Sequence, residues 1–434
     1  MANLLEKASI ILSATAYDDE KVLAIKPSDG SGDFQFSRNS SATRVNAQGL
    51  VEDVQILSSN LVQNGDFSQI GSEEVTNGNF SQEGSEQITN GDFATDSDWS
   101  KQTGWSISGG SANCDGTQSG GTAIYQSVFQ QNKSYKITFS ITDISSGGVG
   151  VVNSPKQTSI GTYTYYYYTT SSDTNLYINA DADFIGSIDN VSVKEVGQDF
   201  TLGGEATIGE NKLILSGDAS TSAYALQNNV FSSGKTYKCV FDVTINSGLG
   251  IKFQDGLAYN PHNKNIGLVT TSGIYTFYFT STTYNQLVIS RNDGAQAYDG
   301  SITNISVKEV GQDWTLNGVD FSLGSVFFNS DTDNIFQNGS YFSSGTKYKL
   351  TFEGNGNLAY RTGFAGADGT RKQITLPHTA YITATADTNR IQVYGANGDL
   401  EGTLTNISVI EITDDTNLPR IKYEGFSYQD ALGS

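Results

Sequence analysis

The chain has 434 residues, and 46 acidic against 25 basic side chains give a formal charge of −21. That excess of carboxylate argues against a nucleic-acid partner, which needs Lys and Arg over its phosphates, and against docking on an anionic membrane. No apolar run approaches the ~20 residues of a membrane span, and 47 glycines with only 5 prolines suit a β-rich chain with many tight turns.

At the N-terminus, MANLLEKASIILSATA has a short apolar stretch. Glu6 precedes it and Ser9 and Ser13 interrupt it, so it reads as a short helix or strand rather than a cleaved signal. FQF (34–36), TRV (43–45) and LVEDVQI (50–56) read as strands, with 46–49 as a turn. A repeat of period 13 follows. LVQNGDFSQIGSE, EVTNGNFSQEGSE and QITNGDFATDSDW place Asn64, Asn77 and Asn90 in register, each opening an Asn-Gly turn followed by Phe. The three copies read as a tandem duplication of the first edge of a first sandwich, forming either a turn-rich stalk or a linker over 61–89.

Longer repeats organise the rest of the chain. SIDNVSVKEVGQDF (187–200), SITNISVKEVGQDW (301–314) and TLTNISVIEITDDT (403–416) are alike, with Asn190, Asn304 and Asn406 equivalent. Upstream of each lies a YK strand: KSYKITFSIT, KTYKCVFDVT or TKYKLTFEGN. Period two puts Tyr135, Ile137, Phe139 and Ile141 in a core, with Tyr237, Cys239, Phe241 and Val243, then Tyr348, Leu350 and Phe352, as counterparts. Cys239 therefore reads as a buried thiol acting as a small hydrophobe. Cys114 has no Cys counterpart, and no bridge between the two is expected.

A third shared strand follows. Aligning Tyr166 and Tyr168 with Phe277 and Phe279, and with Ala380 and Ile382, assigns those residues to the core. Tyr165, Tyr167, Tyr278 and Tyr381 then face outward. The expected fold is all-β: three tandem jelly-roll sandwiches, over 90–197, 198–311 and 312–412.

Sugar binding needs exposed aromatic platforms with a few polar groups. Tyr165, Tyr167, Tyr278 and Tyr381 are candidates, as are Trp99 and Trp105, for which core or rim packing is the alternative reading. Catalysis is not expected. His262 and His378 lie far apart, no GxSxG, HExxH or Walker motif is found, and no carboxylate pair recurs in a hydrolytic setting.

The sandwich copies resemble the carbohydrate-binding modules of the galactose-binding-like superfamily, of the kind appended to cellulases and xylanases. The resemblance rests on NGDF at 90–93, Trp99, Trp105 and the closing strand IDNVSV at 188–193. The first copy fits best, and the other two read as having lost the NGDF opening. The resemblance implies no required cofactor, and a structural calcium in the first copy held by Asp92 and Asp189 with backbone carbonyls. Thr303 and Thr405 replace Asp189 in the other copies, and Ala94 stands where an acidic residue is usual.

The ends resemble a module of structural proteins in tailed phages, the head-spike and tail fibres of phages of Bacteroidetes-type hosts. FSRNSSATRVNAQGLVEDV (36–54) and NLPRIKYEG (417–425) carry it. In that family the two pieces lie close together, so their separation here implies domain insertion, with both chain ends, 1–60 and 413–434, folding together as a small β base. Unlike the family, the chain does not continue into a LLLEPQ-like stretch. Arg38, Arg44 and Arg420 are candidate assembly contacts through bidentate pairing, or ordinary surface arginines. The implied function is a phage fibre, spike or decoration protein, favoured as a homotrimer, adhering to glycans with other virion proteins as partners. A purely architectural virion adaptor, or a secreted polysaccharide-binding protein, is the alternative.

Overall fold

The computed structural model describes residues 56–414 apart from 171, 257–264, 282–283, 293–295, 363–369 and 399–400, and only backbone strands within 11–54. Every regular element described is a β-strand. The chain divides into two compact units, Ile70–Gln312 and Met1–Gln69 with Asp313–Ser434. The first unit holds two jelly-roll sandwiches and the second unit holds a third. Near the N-terminus, Ile11–Asp18, Lys21–Lys26 and Phe34–Gln35 form a three-stranded sheet, and Ala42–Val45 pairs with Val51–Val54. NLPRIKYEG lies outside the described residues.

Each sandwich is built on its YK strand. In the first, Ser134–Ser146 lies between Ile185–Val196 and Gly161–Tyr168 in an antiparallel sheet, and Val149–Val151, Asn175–Ala180, Thr122–Ser127 and Ser100–Lys101 form the opposing sheet. Alternation along the YK strand puts Tyr135, Ile137, Phe139 and Ile141 into the core, as it does for their counterparts in the other two. The tyrosine has a polar tip that needs a partner when buried. The same partner recurs: Tyr135 Oη accepts from Gln130 N, Tyr237 Oη from Ser232 N and Tyr348 Oη from Ser343 N, at 2.8–2.9 Å. Cys239 is fully buried among apolar side chains, which pushes its thiol up, and both cysteines are free. In the third sandwich the YK strand is longer, Lys347–Thr362, and pairs in both sheets. It turns the corner at Gly354, with φ of 137°, where a Cβ would lie 1.9 Å from Thr403 O.

Residues 61–89 serve neither as a linker nor as a stalk. The structural unit is offset from the 13-residue copies: a short strand and the Asn-Gly turn that follows it form the first edge of one sandwich, each unit serves a different sandwich, and the order is reversed. Glu83–Glu86 pairs with Ile185–Val196 in the first sandwich. Ile70–Glu73 pairs with Tyr298–Val310 in the second. Ile56–Asn60 pairs with Gly402–Asp414 in the third. The docking chemistry is the same each time. Phe93, Phe80 and Phe67 are buried against Trp99, Phe200 and Trp314, with ring centroids 5.2, 4.9 and 5.5 Å apart. A glutamine, buried in the second and third sandwiches and half-buried in the first, clamps the backbone of each copy with two bonds of 2.9 Å. Gln126 grips Thr89, Gln227 grips Thr76 and Gln337 grips Gln63. The repeat glycines are required by close approach: at Gly65, Gly78 and Gly91 a Cβ would sit 2.1 Å from the carbonyl oxygen of Ile407, Ile305 or Val191. Positive φ falls on the preceding asparagines, 46°, 54° and 55° at Asn64, Asn77 and Asn90, a residue type that tolerates it, and again on Phe67, Phe80 and Phe93.

The sandwiches are therefore nested. The first is complete within 83–196, the second is split into 70–80 and 200–310, and the third into 56–67 and 314–412. The VGQDF and VGQDW segments that close one sandwich carry, in Phe200 and Trp314, the opening aromatic of the next. The second and third copies have not lost their NGDF openings. These lie upstream, because each inner sandwich sits between an outer one's first strand and the remainder.

Candidate functional site

The aromatic candidates fall into two groups. Trp99 and Trp105 are each 7% exposed and belong to the first core. The Trp99 indole donates to Asn90 O at 2.9 Å, and Trp105 packs on Phe184 with centroids 6.0 Å apart. Neither is a platform; the packing alternative is the correct one.

The tyrosine ladder differs from expectation by one residue. Tyr135 faces Tyr167, Ile137 faces Tyr165 and Phe139 faces Tyr163 across the strand pair, so the odd-numbered tyrosines share the core face. Tyr165 stacks on Phe139 with centroids 6.2 Å apart, and Tyr167 packs at a tilt on Phe129 at 5.6 Å. Tyr166 points the other way and packs against the core of the second sandwich beside Gly209. The register makes Tyr165 and Tyr167, not Tyr166 and Tyr168, equivalent to Phe277 and Phe279. A slip of one residue exchanges the two faces of a strand, and a run of four tyrosines at 165–168 has no internal contrast to betray it. In the other copies, Tyr278 lies opposite Lys238 and Tyr381 opposite Lys349, on the outer face, and Tyr381 is 52% exposed.

Asp92 is exposed in the opening turn of the first sandwich, and its Oδ1 accepts from Ala94 N at 3.4 Å. The Asp189 carboxylate accepts from Asn190 N at 2.6 Å and Asn190 Nδ2 at 3.1 Å. Among the described residues no group of three His, Cys, Asp or Glu is placed to hold a metal ion. Arg44 lies on a strand opposite Glu52, but its side chain, like Arg38 and Arg420, is outside the described residues.

A cleft lies on the outer face of the smaller sheet of the first sandwich, with a volume of about 820 Å³. Its floor comes from the strand Asn175–Ala180. Leu176, Ile178 and Ala180 are buried, so alternation turns Asn175, Tyr177 and Asn179 outward. Tyr177, 37% exposed, lies opposite Tyr125 with ring centroids 4.9 Å apart. Asn175 Nδ2 donates to Tyr177 Oη at 3.2 Å, and Asn179 Nδ2 to Val152 O at 2.9 Å. Lys156, Asn153, Asp173 and Asp181 line the walls. Burial holds the Lys156 ammonium below its ordinary value, with Asp181 opposing that shift. Tyr167 lines one end of the cleft, where burial, with the hydrogen bond and charge of Asp173, pushes its phenol up to about 12. Tyr165 and Tyr167 line a smaller adjoining pocket of about 220 Å³, where Gln157 Nε2 donates to Tyr165 Oη at 2.6 Å.

The arrangement offers an aromatic face, paired amide donors and acceptors, one cation and two carboxylates in a concave surface. Sequence reasoning missed Tyr177, Asn175 and Asn179. The signal was present, because NLYINA has the same alternation that located the YK strands.

No protein-family model matches the chain, and no curated protein matches it. Among solved structures it is similar to the N-terminal CBM22 tandem domain of Xyn10C from Paenibacillus barcinonensis, at 10% identity and a TM-score of 0.24, over 50% of this chain and 94% of that one. A fucolectin from striped bass serum is similar at 11% identity and a TM-score of 0.19, over 46% and 86%. A protein of Sulfolobus turreted icosahedral virus is similar at 11% identity and a TM-score of 0.18, over 73% and 90%. Scores of this size decide nothing about the chain, whose jelly-roll architecture rests on its own sheet order and cores. Among the described residues no helix is long and apolar enough to cross a membrane.

Proposed function

We propose that the protein is a structural component of a phage virion, a fibre, spike or decoration protein, that adheres to glycans by binding alone, without covalent chemistry. The observation that carries the adhesive part is the cleft floored by Asn175, Tyr177 and Asn179. A pyranose offers an apolar face to an aromatic ring and a belt of hydroxyls to amides and charged groups, and both kinds of group converge there. The virion part rests on the SATRVN and PRIKY segments at the chain ends. Repetition of the unit in an oligomer would multiply weak contacts through effective concentration.

The test is a glycan array probed with the full-length protein and with Tyr177→Ala. Wild type should bind a neutral oligosaccharide, and the variant should lose at least tenfold in affinity with its melting temperature unchanged. Absence of binding to any neutral glycan, or equal binding by a folded Tyr177→Ala, would overturn the adhesive reading. Immunogold electron microscopy of particles from the source lysate tests the virion part, because unlabelled particles would remove it. The purely architectural alternative draws on Tyr166, an outward aromatic occupied in packing one sandwich on the next.

A further inference from the structure

The outer face that forms the cleft in the first sandwich exists in all three, and strand register makes its positions equivalent. Tyr177 opposite Tyr125 corresponds to Val288 opposite Leu226 and to Gln392 opposite Phe336. Asn175 corresponds to Arg390, and Asn179 to Tyr394. The third sandwich therefore presents different chemistry at the same place. Arg361 lies opposite Gln392 on the neighbouring strand. Arg390 stacks on Phe336 with its guanidinium carbon 3.8 Å from the ring centroid, and Arg371 stacks on Tyr394 at 3.8 Å. Arg361 approaches the same Tyr394 ring at 5.2 Å. Three of the chain's seven arginines thus share one sheet face.

That concentration of like charge is costly unless something offsets it. Carboxylates are abundant in this chain, yet the hydrogen bonds described for Arg361 and Arg371 go to neutral oxygens. Arg361 Nη2 donates to Gln392 Oε1 at 3.0 Å, and Arg371 Nη1 donates to Asp331 O at 2.9 Å. Arg361 Nε is buried with no acceptor among the described residues. Burial and the neighbouring Arg361 both hold Arg390 below its ordinary value, against an opposing contribution from Tyr394. Gln392 is itself buried and donates to Asn334 Oδ1 at 3.0 Å, while Arg390 Nε donates to Asn338 Oδ1 at 2.9 Å. Arg361 and Arg371 are thus oriented by aromatic rings and neutral oxygens, and Arg390 lies over the Phe336 ring with Nε on an amide oxygen. Oriented guanidinium forks match planar carboxylates, and the amides beside them suit hydroxyls.

We propose that this face of the third sandwich is a second, independent binding site, for a carboxylated sugar such as a hexuronate unit of an acidic polysaccharide. The carboxylate is held by Arg361 and Arg390, whose forks Gln392 and Asn338 orient from the sheet, and the ring hydroxyls meet Asn334 and Asn338. The negative charge elsewhere on the chain does not forbid this, because at ~0.1 M salt charges more than about 10 Å away are largely screened. The site does not rest on the cleft of the first sandwich.

Affinity electrophoresis of the full-length protein through gels containing polygalacturonate or alginate tests it, with competition by free galacturonate or galactose. Wild type should be retarded, and galacturonate but not galactose should release it. Arg361→Gln and Arg390→Gln should each weaken retardation at least tenfold. Arg361→Lys, which keeps the charge but not the fork, should restore only part. Tyr177→Ala should behave as wild type here, so the two sites can fail separately. No retardation of wild type in either gel, release by galactose as readily as by galacturonate, or unchanged retardation of both glutamine variants would overturn the proposal. Equal competition by poly-glutamate would also overturn it, pointing to an acidic peptide partner instead. The wild-type competition needs no variant, so it stands even if a substitution prevents folding.

Discussion

Replacing Phe80 with alanine separates nesting from a plain tandem order. Phe80 lies just before the first sandwich in the chain, but its ring is 1% exposed in the core of the second, 4.9 Å from Phe200. Truncating a fully buried phenylalanine costs about 3–5 kcal/mol, the transfer free energy plus the cavity left behind. A single domain has roughly 5–15 kcal/mol to lose, so the second sandwich should melt roughly 12–25 °C lower. Hydrogen exchange read at peptide resolution locates the loss. Protection should fall across Thr236–Ser247 and Tyr298–Val310, while Ser134–Ser146 and Ile185–Val196 keep theirs apart from residues near the Tyr166 contact. Phe93→Ala should give the mirror pattern. If Phe80→Ala instead opened 88–196 and left 236–310 protected, the nested assignment would be wrong.

Other expectations follow from the same geometry. Tyr165→Ala should destabilise the first sandwich by about 1.5–3 kcal/mol, because the ring packs on Phe139; a melt unchanged within 1 °C would return Tyr165 to the outer face. Glu83 bonds Lys136 at 2.6 Å and Lys194 at 3.0 Å, which holds its carboxyl below the ordinary value. The stabilisation is present at neutral pH and lost as pH falls through the lowered folded-state value. Glu83→Gln should therefore cost about 0.5–1 kcal/mol at pH 7 and nothing once wild-type Glu83 is protonated; a cost that persists in acid would count against the ion pairs. Because Asn190 occupies the Asp189 carboxylate, adding calcium or a chelator should leave the melting temperature of the first sandwich unchanged within about 2 °C. A larger shift, abolished by Asp189→Asn, would establish a calcium site there instead.

The all-β class, the number of sandwiches and the inward faces of the YK strands were legible in the sequence. Turn residues and period-two alternation are local properties, and Tyr135, Ile137 and Phe139 declare their face within a few residues. The burial of Cys239 followed by analogy with Ile137 and Leu350. Other features were not legible for identifiable reasons. Asn-Gly-Asp-Phe at 64–67, 77–80 and 90–93 is nearly the same in every copy, so nothing local says which closing strand each will meet. That choice is made by long-range pairing, through Gln126, Gln227 and Gln337 and through the glycines pressed against distant carbonyls. The tyrosine run at 165–168 hides its register because either parity puts tyrosine on both faces. Trp99 and Trp105 were compatible with a surface or a core until their neighbours were placed. The arginines at 361, 371 and 390 are scattered in sequence and meet only because antiparallel pairing brings Arg361 and Arg390 to one face, where Arg371, just before the strand Lys372–Thr375, also stacks. Sequence by itself determined what each strand is and which side of it is apolar. Tertiary structure alone decided which strands belong together, because pairing partners are chosen by contacts between residues far apart in the chain.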